Sequence, residues 1–242
     1  RFETVFVTHA HVDHLAGAIQ HAFHRSLVGA SPSRFVVPAE VAPQIQAIME
    51  TWVSLQGELG VPFVVVPTVP GMVYPVSKDL FIKVVATSHT IPSQGYIVYR
   101  VTQKLKPEFV GMPGQEIARL RQEGVEVTTR TETPEIAYML DSRLEAVLAC
   151  PEALTARLLI AEATFLREEE SVEKAHEFGH THLSEILANK DAFQNQTLLL
   201  THFSARYSEE QIGEAIFGGA DLKNSERVLS TVGGHVLKIR VL

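Results

Sequence analysis

His9-Ala10-His11-Val12-Asp13-His14 places three imidazoles and a carboxylate within six residues. Residues 4–7 read as an apolar strand running out at His9, and Leu15, Ala16, Ile19 and Phe23 then fall on one helical face. In the extended part, residues two apart point to the same side, so His9 and His11 can share one metal from a strand end. Asp13 and His14, past the turn into the helix, face elsewhere and can serve a second. Imidazole and carboxylate donors suit zinc, and two such sites side by side suit a two-metal hydrolase. With eleven histidines among 242 residues, the pattern arises by chance about five times in ten thousand.

Six residues hold too few ligands for two ions, so further His or Asp residues are required at strand ends. His89 follows the apolar run 80–86, Asp141 follows 136–139, and His202 follows 197–200. Each stands where a loop leaves one edge of a sheet. Singly, each is more often a core or loop residue than a ligand; the shared placement argues for metal.

Other apolar strands are expected at 63–66, 96–101 and 158–161, with a closing strand at 236–241. Pro43 suits a first helical turn, followed by Ile45, Ile48, Met49 and Trp52 at helical spacing. Further helices are expected at 183–189 and after Ser208-Glu209-Glu210-Gln211, which has the spacing of a capping box. Glu168-Glu169-Glu170 reads as a solvated helix start. With no repeat, low-complexity tract or linker, residues 1–242 read as one α/β domain of two sheets flanked by helices.

Formal charge is −7, with 45% hydrophobic and 20% charged residues. This excludes wholesale disorder and a basic nucleic-acid coat, so a polyanionic substrate needs local positive charge such as a metal. A single cysteine, Cys150, excludes a disulfide framework and a thiolate cluster. No apolar run reaches the length of a membrane span and Arg1-Phe2-Glu3-Thr4-Val5 lacks the form of a signal peptide, so a cytoplasmic or organellar protein without membrane contact is expected. The chain opens inside a strand pattern without an initiator Met, and upstream strands of the fold are expected to be missing from it.

Five segments in order resemble the motifs of ribonuclease Z, the tRNA 3′-processing endonuclease of the metallo-β-lactamase superfamily. They are Thr8-His9-Ala10-His11-Val12-Asp13-His14-Leu15-Ala16-Gly17, Ser88-His89-Thr90-Ile91-Pro92-Ser93-Gln94-Gly95-Tyr96, Ala161-Glu162-Ala163-Thr164-Phe165, Gly179-His180-Thr181-His182, and Thr201-His202-Phe203-Ser204-Ala205-Arg206-Tyr207. The first marks only the superfamily; the third and fifth narrow it to ribonuclease Z. The stretch from Lys104 to Val127 is most similar to short plant chloroplast-type members and their bacterial relatives.

The resemblance implies an αββα sandwich with two Zn2+ at one edge of the paired sheets, Mn2+ being a possible substitute. His9, His11 and His89 would bind the first ion, Asp13, His14 and His202 the second, and Asp141 would bridge them. Asp13 would also orient or deprotonate the attacking water. His180 would protonate the leaving 3′-oxygen, its alternative being a helix-entry histidine. Glu162 would orient His180 or a ligand imidazole, unless it is an ordinary strand-end carboxylate. Ser204 and Arg206 fit phosphate binding, although Arg206 also reads as a surface cation. Ser93 and Tyr96 would line the substrate cleft, or else form a strand-capping turn. His182 has a weaker claim, and His21, His24, His176 and His235 read as surface or helix-face residues.

The implied activity is removal of 3′ trailers from precursor tRNA, by a homodimer. Two features depart from the family. Leu140 stands where it usually has glycine before the bridging aspartate, and bulk there is expected to shift the turn. The protruding arm that grips tRNA is reduced to about residues 102–130, where Lys104, Lys106, Arg119 and Arg121 are available to phosphates. These departures keep open a binuclear zinc phosphodiesterase for small or activated phosphodiesters, and a noncatalytic metal-binding relative.

Overall fold

The computed structural model describes residues 2–57, 60–217, 228–232 and 235–238. Three parallel strands, β1 (Thr4–Phe6), β2 (Ser33–Pro38) and β3 (Phe63–Thr68), form a small sheet in that order. The crossovers between them carry α1 (Val12–Leu15) with α2 (Gly17–Leu27), and α3 (Ala42–Ser54). Parallel neighbours require such crossovers, and they put helices over one face of the sheet. There Leu15, Ala18, Ala22, Ile45 and Met49 bury against Val7, Phe35 and Val37. Pro43 sits in the first turn of α3 as expected, but Ile48 faces solvent.

The large sheet has the order β11-β10-β9-β8-β7-β6-β5-β4. β4 (Val73–Ser77), β5 (Leu80–Ala86), β6 (Gln94–Leu105) and β7 (Thr128–Met139) form an antiparallel meander; β8 (Leu158–Glu162), β9 (Thr197–Thr201) and β10 (Val228–Val232) continue parallel to β7, and β11 (His235–Lys238) closes antiparallel. The expected closing strand begins in β11, and its residues 239–241 lie outside the described residues.

Alternation along β5 and β6 makes the layers. Val84 and Tyr96 join Val36 of the small sheet, whereas their neighbours Val85 and Ile97 join the second core. That second core is capped by α5 (Leu144–Leu148), α6 (Pro151–Thr155), α8 (Leu183–Ala188) and α9 (Glu209–Phe217) through Leu144, Ala153, Ile186 and Ile212. The order helix, sheet, sheet, helix is the αββα sandwich. α4 (Gly114–Gln122) lies in the β6/β7 excursion, and α7 (Val172–Glu177) between β8 and α8.

Beyond a bulge at Val98/Tyr99, β6 and β7 continue as a two-stranded ribbon to Leu105 and Thr128, with α4 at its tip burying no residue. The capping box of α9 is formed, Ser208 N donating to Gln211 Oε1 (3.0 Å) and Gln211 N to Ser208 Oγ (3.2 Å). The acidic run departs from expectation. α7 starts after it, capped by Ser171, and Glu170 is mostly buried, bonded to the Tyr207 hydroxyl and Arg206. Among the described residues no helix is long and apolar enough to cross a membrane.

Topology explains why distant residues meet. β5, β7, β8 and β9 all run the same way, so His89, Asp141, Glu162 and His202 emerge at one edge. β1 is brought to that edge by a bridge from His9 to Ser93 and by Gln94 N donating to Thr8 O (2.9 Å).

Candidate metal centre

His11 is the last extended residue before α1 (φ −61°, ψ 148°), which separates His9 and His11 from Asp13 and His14. His9 Nε2 lies 3.0 Å from His11 Nδ1, which lies 3.3 Å from His89 Nε2. His9, His11, His89 and Asp141 together bring one donor atom each within 4.8 Å of one another, and so do His14, Asp141 and His202. Asp141 belongs to both sets: Oδ2 is 3.4 Å from His9 Nε2 and 3.3 Å from His14 Nε2, and Oδ1 is 3.1 Å from His202 Nε2. Asp13 stands outside these sets. Its side chain is 74% exposed, with Oδ2 3.5 Å from His14 Nε2.

The donors fit divalent cations. Two ligands about 2.0–2.1 Å from a tetrahedral zinc stand roughly 3.3 Å apart, the spacing of these nitrogens. Asp141 Oδ1 is buried and accepts no hydrogen bond from protein, as suits an oxygen offered to a cation. Burial lowers the pKa of His9 to about 3 and lowers that of His89, keeping their lone pairs available. Burial opposes ionisation of Asp141, but the His14 hydrogen bond and the charges of His202, His14 and His9 outweigh it and hold its pKa at about 2.

The far nitrogen of three rings is fixed by the protein. His9 Nδ1 is 2.9 Å from Thr8 Oγ1, His89 Nδ1 is 3.0 Å from Gly179 O, and His202 Nδ1 is 3.0 Å from Thr164 Oγ1. Such contacts set tautomer and ring orientation. Sequence reasoning gave Thr8, Thr164 and Gly179 no role, although each stands beside or inside a histidine or acidic motif. Asp141 and His202 have positive φ, 51° and 59°, the two non-glycine residues described in that region. The left-handed backbone at both positions costs conformational energy, and both side chains reach the cluster from it. Leu140 is buried, and the bulk expected to shift this turn leaves Asp141 in reach of three imidazoles.

Glu162, 1% exposed, joins the second half of the site. It accepts from Ser142 N (2.5 Å), Thr181 N (3.2 Å) and the Thr164 hydroxyl, and its Oε2 is 3.0 Å from His180 Nδ1. Burial alone would lower the pKa of His180; the Glu162 hydrogen bond and charge outweigh it and raise it. The His180 ring stands 5.1 Å from that of His89 and 5.3 Å from that of His202.

Tyr96, Ser93, His182 and Arg206 are held by contacts of their own. Tyr96 does not line a cleft. It is 5% exposed between the sheets, its hydroxyl donating to Val7 O (2.5 Å) and accepting from Gln94 Nε2 (2.7 Å). Ser93 is half-buried against Thr87 Oγ1 at 2.6 Å. His182 caps α8, Nδ1 accepting from Ser184 N (3.1 Å) and Nε2 donating to Arg167 O (3.1 Å). His21 is a helix-face residue of α2, as expected, and bonds Ser33 Oγ (2.9 Å). Arg206 reaches Ser204 Oγ with Nε (3.0 Å) and Glu170 with Nη2 (3.0 Å).

The chain matches no protein-family model. It is 37% identical over 214 residues to the chloroplastic tRNase Z TRZ2 of Arabidopsis thaliana, covering 88% of this chain and 60% of that protein. It is 37% identical over 215 residues to tRNase Z TRZ1 of the same plant, covering 88% of this chain and 76% of that protein. The fold is similar to that of human tRNase Z, short form, with a TM-score of 0.56 at 20% identity over 99% of this chain and 80% of that one. It is also similar to that of the metallo-β-lactamase fold protein YhfI from Bacillus subtilis, with a TM-score of 0.62 at 16% identity over 98% and 78%. The structural likenesses give the metallo-β-lactamase fold, and the sequence likeness to the plant proteins goes further: the chain belongs to the ribonuclease Z (tRNase Z) family.

Proposed function

We propose that the protein is a zinc-dependent endoribonuclease that removes 3′ trailers from precursor tRNA, leaving a 3′-hydroxyl on the tRNA and a 5′-phosphate on the trailer. The observation that carries this reading is the Asp141 carboxylate shared between two imidazole sets, in a chain of the ribonuclease Z family. His9, His11, His89 and Asp141 would hold one Zn2+, and Asp13, His14, Asp141 and His202 the other, with Mn2+ as a substitute. Bound there, the ions lower the pKa of water and neutralise charge on the non-bridging phosphate oxygens, the local positive charge that a chain of net charge −7 needs.

The chain's own groups do the rest. Asp13, exposed beside His14, orients or deprotonates the attacking water. Glu162 engages His180 Nδ1 and favours the protonated ring, leaving Nε2 to give its proton to the departing 3′-oxygen. Ser204 and Arg206 contact phosphate oxygens. The β6/β7 ribbon, with Lys104, Lys106, Arg119 and Arg121, serves as a reduced tRNA-binding arm, although Lys106 and Arg119 are paired with glutamates in this structure. A homodimer working in a bacterial cytoplasm or an organelle completes the reading.

The test is incubation of purified protein with a trailer-bearing precursor tRNA and zinc or manganese. Cleavage leaving a 3′-hydroxyl is expected; none, with bound metal verified, overturns the proposal. Faster turnover of cyclic nucleotides than of precursor tRNA would favour the small-phosphodiester reading, and bound zinc without turnover of any phosphodiester the noncatalytic one.

A further inference from the structure

Beside His180 opens a cleft of about 420 Å³ lined by Thr164, Phe165, Lys174, Phe178, His180 and Arg206, within the roughly 300–1,000 Å³ typical of small-ligand sites. Its floor is shared with the candidate metal centre, because Thr164 and His180 both bond Glu162. Its walls are aromatic. Phe165 is buried, but Phe178, the C-cap of α7, is 53% exposed, its ring 6.3 Å from that of Phe165 and inclined by 25°. The rim is cationic. The Arg206 guanidinium lies 5.7 Å from the Phe165 ring centre, and Lys174 lines the same cleft, its charge acting on Glu170, which also pairs with Arg206.

Resting on the nuclease reading above, we propose that this cleft binds the base of the nucleotide on the 5′ side of the cleaved bond, stacked on Phe178, with Lys174 and Arg206 facing its phosphate. The side follows from chemistry. In an in-line displacement the leaving oxygen departs opposite the attacking water. His180 serves that leaving oxygen, which is the 3′-oxygen of the nucleotide 5′ of the bond. The part of the substrate beside His180 is therefore that nucleotide, and the cleft beside His180 is the place for its base. Phe178 packs against Phe165 yet keeps about half of its surface open to solvent, and every base offers a π-face to stack on such a ring. The subsite therefore reads the presence of a base rather than its identity. Arg206 reaches phosphate by giving up its contact with Glu170.

The test pairs Phe178→Ala and Phe178→Trp with precursor RNAs carrying either a base or an abasic residue immediately 5′ of the cleavage bond. Phe178→Ala is expected to lower kcat/KM on the base-bearing RNA by about tenfold, Phe178→Trp to retain it, and the variant and abasic losses not to add. Additive losses, or equal losses for Ala and Trp, overturn the proposal. The same RNA with 2-aminopurine at that position gives a readout independent of cleavage: its fluorescence is expected to be quenched by wild-type protein and not by Phe178→Ala. Quenching without cleavage would remove the nuclease reading and leave the base site; cleavage without quenching would do the reverse. Thermal melts of both variants check that the exposed position leaves folding intact.

Discussion

The carbonyl oxygen of Gly179 lies 3.0 Å from Nδ1 of His89, so the residue that precedes His180 also orients an imidazole of the candidate metal centre. Gly179 has φ +77°, and a Cβ there would stand 2.6 Å from His89 Nδ1 and 2.8 Å from Thr90 N. Gly179→Ala must adopt a left-handed backbone and push the ring away, costing on the order of 1–3 kcal/mol of stability. Because the displaced ring is a proposed ligand, zinc affinity is expected to fall about 10- to 100-fold. Competition with a chromogenic chelator measures this, and unchanged affinity would remove His89 from the ligand set.

His180 and Glu162 are expected to act as a pair. Losing a positioned proton donor typically costs about 10²–10⁴-fold, so His180→Ala should slow RNA cleavage by that order. Bis(p-nitrophenyl) phosphate releases a phenolate that needs no proton, so its hydrolysis should fall much less. Glu162→Gln should follow the same substrate dependence, with an added loss of stability because Ser142 N and Thr181 N point at this carboxylate. Equal losses on both substrates would assign His180 to binding instead of proton transfer.

Arg143 ties the loop that carries His89 to the end of α7, four residues ahead of His180. Its Nε donates to His176 O (2.8 Å) and Nη1 to Ser88 Oγ (3.0 Å), while its backbone N donates to Ser88 O (2.8 Å). Arg143→Ala frees α7 from the His89 loop, and misplacement of about 1 Å can cost 10²-fold in rate. A fall in kcat of about 10- to 100-fold is expected. Lysine should not restore it, since one ammonium lacks the forked geometry that reaches both acceptors. Full rescue by Arg143→Lys in a steady-state assay would show that charge alone matters.

The site was more legible in the sequence than the scaffold. His9, His11, Asp13 and His14 are neighbours, and two-residue periodicity assigns their sides directly; His89, Asp141 and His202 each end an apolar run, so a parallel arrangement brings them together. Strand β4 was hidden because Pro75 breaks its pattern, which only its place at the sheet edge permits. β2 and β10 were also missed; β2 is a short apolar run beside Arg34, buried by the helices above it. The supporting contacts were illegible for a different reason. Gly179 to His89, Thr164 to His202 and Arg143 to Ser88 span tens of residues and use groups common in any sequence. Tyr96 illustrates the limit: its motif suggests a place in the site, yet its position in β6 turns it inward.

That placement makes Tyr96→Phe informative. The hydroxyl donates to Val7 O and receives Gln94 Nε2, with Val36 O at 3.2 Å, so it pins β1 to the large sheet just ahead of Thr8 and His9. Removing it keeps the ring against Phe6 (centroids 5.2 Å apart) but leaves a buried acceptor and a buried donor short of a partner. The expected cost is about 1–3 kcal/mol, read as a lower urea midpoint with an unchanged slope. Burial already pushes the phenol above its usual pKa, so no ionised form contributes near neutrality. A cleft-lining tyrosine would instead raise KM for precursor tRNA at unchanged stability. The urea midpoint and KM, measured on the same preparation, separate a sheet clamp from a substrate contact.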